Sequence, residues 1–269
     1  MKTAAMSKLE ALLETRRLNH TLLRPWLAAA PARTVSSGVA PLDAVLAGGW
    51  RLGEVSEVVG AASSGRTCLA VAALAASTAG GRLAALVDTT DRFDPGVAAD
   101  AGADLTRLLW VRGPAMSPGA ARPAMVDRAV RQAVRACDLI VRAGGFSVVV
   151  LDLADVPSRR LRLLPHPTWM RLARAIEGQP TACLVIAPTA LGRSARGVTV
   201  QVSAAPRWQG TSAQSRRLAA LEITARFQTA HAVVQSVDLE SGGLQNQAAL
   251  RTPAPSDHRT IGPNRIIGP

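Results

Sequence analysis

The sequence predicts an α/β fold: a mostly parallel sheet flanked by helices, with an antiparallel C-terminal extension, an N-terminal helix and a disordered C-terminal tail. Three observations predict it. From Gly38 to about Asp238, short apolar runs alternate with helical segments, the pattern of strands covered on both faces by crossover helices. The last three runs are joined by short turns, which places an antiparallel extension at one edge of the sheet. Finally, 48% hydrophobic and 19% charged residues among 269 give enough apolar side chain for a large packed core.

Taken in order, residues 7–17 read as the N-terminal helix. Ser7 and Glu10 form a capping box, Leu9, Leu12 and Leu13 share one face, and Arg16 and Arg17 suit the dipole of its last turn. Residues 24–40 carry Pro and Ser and read as a linker. Glu54–Val59 is a short strand. Thr67–Ala79 is an Ala-rich helix that Gly80-Gly81 ends, and Leu83–Asp88 is an apolar strand. Pro123–Ala143 is a helix with proline in its first turn and Gly144-Gly145 past its end. Val126, Val130, Ala133, Val134, Cys137 and Val141 form its apolar stripe, and Arg128, Arg131, Arg135 and Arg142 its opposite face. Ser147–Leu153 and Ala182–Ala187 are buried strands, with the helix Trp169–Glu177 between them. Val198–Ser203, Leu218–Phe227 and Ala232–Leu239 make the extension. Residues 241–269, rich in Gly, Ser, Pro and Asn, read as disordered. The chain thus divides into a helix and linker (1–34), a core domain (35–240) and a tail (241–269).

Cys68, Cys137 and Cys183 are widely spaced with no Cys-x-x-Cys, which argues against a disulfide framework or a structural zinc and for a reducing, cytoplasmic setting. No apolar signal segment opens the chain, and the longest apolar run is far short of a membrane span, so no membrane partner is expected. The net charge is +12, and only Lys2 and Lys8 are lysines. An arginine excess suits phosphate and nucleic acid, because the guanidinium fork grips phosphate at two points. A GC-rich coding sequence explains part of the Arg/Lys ratio but not the surplus of positive charge.

Gly60-Ala61-Ala62-Ser63-Ser64-Gly65-Arg66-Thr67 follows a strand and opens a helix, the setting a phosphate-binding loop requires. Backbone N–H groups of Gly60, Ser63, Ser64 and Gly65 and of the helix N-terminus would cradle phosphates. Thr67 would ligate Mg²⁺, with Asp152 at the end of an apolar strand as its companion carboxylate. Arg66 stands where lysine normally reaches the terminal phosphates. A guanidinium is planar and wider than an ammonium, so binding is expected and well-placed catalysis is not.

These residues resemble the RecA family. The resemblance rests on Ser36-Ser37-Gly38-Val39-Ala40-Pro41-Leu42-Asp43, on Gly48-Gly49, on the run Gly53 to Gly60, on Val87 to Pro95 and on Gly102 to Leu109. It implies a RecA-like core over roughly residues 35–240. The family's catalytic glutamate falls on Thr90, whose hydroxyl is no general base near neutral pH; Asp91 is the neighbouring substitute. Asp94, at the family's adenine-contact position, is retained. Arg66 and Thr90 together imply a degenerate ATPase that takes ATP and Mg²⁺ weakly or not at all. Asp152 to Pro157, Trp169 to Glu177 and Arg193 to Val198 resemble the ImuA branch. That branch implies an accessory protein of SOS-induced, DNA-damage-induced translesion synthesis. Its partners would be an ImuB-type Y-family-like polymerase homologue and an error-prone replicative-type polymerase, with RecA and single-stranded DNA as further candidates. The other readings are a DNA-dependent ATPase of the recombinase type, using Asp91 as base, and a SulA-like cell-division inhibitor.

In RecA-like folds two loops at the carboxyl edge of the sheet line the DNA channel. Here they would carry Arg159, Arg160 and Arg162, then Arg193 and Arg196, with Trp208 further on. Arginines beside a tryptophan suit single-stranded DNA, which offers phosphates and stackable bases. They suit an acidic protein partner equally, and Trp208 reads more readily as a half-buried loop anchor than as a stacking platform. The Leu9/Leu12/Leu13 face would serve either self-association or packing on its own domain. Ile261 and Ile266-Ile267 read either as isolated apolar points of the tail or as the anchors of a short partner-binding motif.

Overall fold

The computed structural model describes residues 33–116, 121–194, 196–210, 215–228 and 236–240. The predicted N-terminal helix, its leucine face, and the tail with Ile261 and Ile266-Ile267 lie outside them.

A small antiparallel pair, β1 (Thr34–Val35) and β2 (Trp50–Arg51), brackets a short helix, α1 (Ala40–Val45). β3 (Val55–Val59), α2 (Arg66–Ala79), β4 (Ala84–Asp88), α3 (Pro95–Asp100) and β5 (Leu108–Arg112) follow. Then come α4 (Pro123–Ala143), β6 (Val148–Asp152), α5 (Ser158–Leu161), α6 (His166–Ile176) and β7 (Ala182–Ala187). β8 (Thr199–Gln209), β9 (Arg217–Gln228) and β10 (Ser236–Glu240) complete the described chain. The main sheet has the order β10-β9-β8-β3-β7-β6-β4-β5. Every neighbouring pair from β8 to β5 is parallel, while β9 pairs antiparallel with both β8 and β10. The α/β core with an antiparallel extension is therefore present as the sequence predicts.

Side-chain alternation along the strands splits the core in two. Val58, Leu86, Val150, Leu184 and Ile186 face α2, with Leu69, Ala73 and Leu74, and the β8–β9 ladder. Val87, Val149, Leu151, Cys183 and Val185 face α4 and α6, with Val130, Val134 and Leu172. The alanines of α2 let that helix lie close to the sheet, and the Ser77 and Ser147 hydroxyls pair across the contact.

Two buried carboxylates on and beside β3 steer the chain between β7 and β8. Glu57 accepts the N–H groups of Leu191 (2.6 Å) and Gly192 (2.7 Å) and the Thr199 hydroxyl (2.9 Å). Glu54 accepts the Ser194 hydroxyl and Arg196 Nε (2.8 Å). Each satisfied carboxylate replaces its lost hydration with charge-assisted hydrogen bonds, which makes the loop's path costly to change.

Candidate functional site

The parallel strands bring their carboxyl ends to one edge. Val58, Ile186, Asp152 and Asp88 are register neighbours across β3, β7, β6 and β4. The chain leaves that edge through residues 60–65, 89–94 and 153–157, so three predicted segments converge there. This edge is where open α/β sheets place ligands.

Residues 60–65 form the turn between β3 and α2. Gly65, at the N-cap of α2, has φ of 89°, and an added Cβ would lie 2.5 Å from Ile223 Cδ1 of β9. Only glycine meets both the left-handed backbone and that approach. Ser63, with φ of 60°, is exposed, whereas the Ser64 hydroxyl is buried and has no hydrogen-bond partner among the described residues. Thr67 is exposed in the first turn of α2, where the leading N–H groups lack intrahelical partners.

Arg66 points inward. It is 6% exposed, and its guanidinium donates to the carbonyl of Gly60 and, at 2.6 Å, to that of Ala154. It therefore ties the loop after β3 to the loop after β6, across the end of β7. Burial lowers its pKa, while Asp152 and Asp155 favour its charged form. Asp152 caps the turn beyond β6, accepting Ala154 N–H at 2.8 Å. Burial raises its carboxyl to about 6; Asp88 and Asp155 add to this, and the Ala154 N–H and Arg66 oppose it.

The segment after β4 is pinned by Asp88, which accepts N–H groups from Arg92 (3.0 Å) and Phe93 (2.9 Å) and Trp110 Nε1 (3.3 Å). Thr90 is buried in this turn. Asp91, with φ of 58°, accepts both Arg112 Nε (2.8 Å) and the second Arg112 nitrogen (2.9 Å). That hydrogen-bonded pair holds the Asp91 carboxyl below its usual range, and Arg112 in turn stacks on Trp110 at 4.5 Å. Asp94 caps α3, its Oδ1 accepting Gly96 N (2.8 Å) and Val97 N (3.2 Å).

The candidate DNA-contacting residues divide. Arg159 and Arg162 are exposed beyond β6, and Arg160 reaches Asp127 at 3.4 Å. Arg193 donates to the carbonyls of Ser194 and Gly197, and Arg196 pairs with Glu54 at the amino end of β3. Arg193 and Arg196 thus stand at the opposite edge of the sheet from Arg159 and Arg162. β8 leaves β3 at Gln201, and Trp208 lies on the ladder beyond it, roughly 20 Å further at about 3.3 Å per residue. Trp208 is half exposed, with Arg216 over its ring at 5.6 Å.

Against a magnesium nucleotide, these residues fit in part. The leading N–H groups of α2, the Thr67 hydroxyl and Asp152 suit phosphate and a hard cation. The inward Arg66 and the Thr90 side chain do not suit stabilising or attacking a terminal phosphate, and no hydrolytic step follows from the geometry.

Comparison with known proteins agrees with this architecture. The RecA N-terminal domain model matches residues 27–161, half of the chain. The chain belongs to the RecA N-terminal domain family. Within the family it is 39% identical to Protein RecA of Crocosphaera subtropica over 119 residues, covering 44% of this chain and 30% of that protein. It is 34% identical to Protein RecA of Chlorobaculum parvum over 132 residues, 48% and 34% of the two chains. It is 45% identical to Protein RecA of Trichodesmium erythraeum over 76 residues, 28% and 21%. The matches thus span about a third or less of these relatives' length. Among the described residues no helix is long and apolar enough to cross a membrane.

Several residues that organise the site carried no local signal. Arg112, Asp155 and Ile223 lie on separate elements, and the Ala154 contact is a backbone carbonyl. Only the inward turn of Arg66 links that carbonyl to the turn between β3 and α2.

Proposed function

We propose that this RecA-family protein is a non-recombinase accessory factor of DNA-damage-induced translesion synthesis, as its ImuA-like segments suggest. It recruits or regulates an ImuB-type polymerase homologue and an error-prone replicative-type polymerase. It takes ATP and Mg²⁺ weakly or not at all, through the 60–67 loop, Thr67 and Asp152, and does not turn nucleotide over at a recombinase's rate. The observation that carries the reading is the engagement of Arg66 by two backbone carbonyls. In a catalytic phosphate loop that cation faces the transferred phosphoryl group and stabilises its charge; here it holds two loops together. Thr90 supplies no base, and the Arg112 pair holds the Asp91 carboxylate and weakens its basicity. Arg159, Arg162 and Trp208 are the side chains offered to single-stranded DNA.

Steady-state ATP hydrolysis, with and without single-stranded DNA, tests the nucleotide half of this reading, with a bacterial RecA protein assayed alongside. The expected result is turnover far below that of the RecA protein and little DNA stimulation. Comparable, DNA-stimulated turnover overturns it in favour of a recombinase-type ATPase. The cellular half is tested by damage-induced mutation frequency in a deletion strain, which should fall; an unchanged frequency overturns it.

A further inference from the structure

On the sheet face opposite α2, α4 and the α5–α6 segment enclose a groove of about 820 Å³. None of residues 60–67 lines it. Its floor is apolar: Val130 and Val134 from α4, Leu164, and Leu172 from α6. Leu163 stands 68% exposed at its margin. Arginines edge this trough. Arg142 is matched by Asp138 at 2.9 Å and Arg160 by Asp127 at 3.4 Å. Arg131, Arg135 and Arg171 also line the groove, and none has an ion pair among the described residues.

We propose that this groove docks an acidic amphipathic segment of a partner protein. Large apolar side chains of that segment would enter the floor, and its carboxylates would meet Arg131, Arg135 and Arg171. Two features favour that chemistry. The first is charge: three arginines without ion pairs among the described residues, on a chain of net charge +12, gain charge-assisted hydrogen bonds from carboxylates. The second is shape. From Arg131 to Arg142 the α4 edge covers roughly 16 Å, about three helical turns. A helix of that length presents apolar residues every three to four positions on one face and acidic residues on the other, the helix-in-groove mode of recognition. A nucleic-acid strand fits less well. No aromatic side chain lines the groove for stacking bases, while its apolar floor suits large apolar side chains.

The inference is independent of the reading of the phosphate loop, and its test does not involve nucleotide. Displayed random peptides of about 12 residues, long enough for a helix that spans the arginine edge, are panned against the full-length protein. The expected outcome is enrichment of sequences that interleave Asp or Glu with large apolar residues at three-to-four-residue spacing. The enriched peptide is then titrated by fluorescence anisotropy. A double variant, Arg131→Glu with Arg135→Glu, should weaken it about tenfold or more. Leu163→Ser should weaken it severalfold; because Leu163 is exposed, that variant keeps the test valid if the double reversal alters the thermal melt. No enrichment, enriched sequences without net negative charge, or binding that neither variant changes overturns the proposal. A single-stranded oligonucleotide of about 16 nucleotides that binds more tightly than the peptide, and loses binding in the same variants, overturns it in favour of nucleic acid.

Discussion

Replacing Arg66 with alanine separates a structural arginine from a phosphate-binding one. The guanidinium is 6% exposed and donates to the carbonyls of Gly60 and Ala154. A hydrogen bond from a charged donor contributes about 1.5–3 kcal/mol, and both carbonyls lose theirs in the variant. Two effects offset part of that loss: the cation no longer has to be desolvated, and water can enter a loop at the sheet edge. The net cost is then about 2–4 kcal/mol. For a domain of this size, each kcal/mol moves Tm by about 2–4 °C, so the melt should fall on the order of 10 °C. Arg66→Lys should cost about half as much, because a compact ammonium in place of the two-pronged guanidinium reaches one carbonyl and not both. Thermal unfolding by circular dichroism, at fixed pH without nucleotide, is the assay. An Arg66→Ala protein that melts within about 1 °C of the parent would refute the reasoning and return the side chain to the phosphate site.

Three further perturbations read other parts of the edge. The native Asp152 carboxyl, at about 6 against an ordinary 3.8, holds its proton more tightly than the unfolded chain does. Its contribution therefore favours folding below about pH 4 and is lost as pH rises through about 6. Asp152→Asn should match the parent near pH 4 and exceed it by on the order of 1–3 kcal/mol near pH 8; a less stable variant at the higher pH contradicts the assignment. Asp91→Ala should leave ATP turnover unchanged, since Arg112 holds that carboxylate; a measurable loss of turnover makes Asp91 a base after all. Gly65→Ala should cost about 2–4 kcal/mol from the left-handed backbone and the overlap with Ile223 Cδ1. Ile223→Val deletes that methyl, so in chemical denaturation the double variant should be more stable than the two single losses predict. Strict additivity would show that the contact does not matter.

Much of the fold was legible because it is written in local pattern. Pro123–Ala143 and Ala182–Ala187 coincide with α4 and β7, and most other core strands and helices agree within a few residues. β5 was missed. Its five residues, Leu108 to Arg112, form an edge strand with mixed exposure, so neither strict alternation nor a continuous apolar run marks it. α3 was missed as well, since six residues are too few for a helical period to stand out. β8 was read too short, because its outer residues pair only with β9 beyond the core, where no buried face imposes a pattern, whereas β9 agrees within one residue at each end.

The candidate site divides along the same line. By itself the sequence determined the glycine-bearing turn that joins β3 to α2 and the carboxylate ending β6. Each is a matter of which residue stands beside which strand end, and backbone geometry then dictates the rest. Only the tertiary structure decided where charges point: Arg66 into two carbonyls, Asp91 onto Arg112, Arg196 back to Glu54 at the far edge. A long, flexible cation has many partners within reach of its stem. Residues distant in the chain but adjacent in the sheet choose among them, and that choice exists only once the strands are side by side.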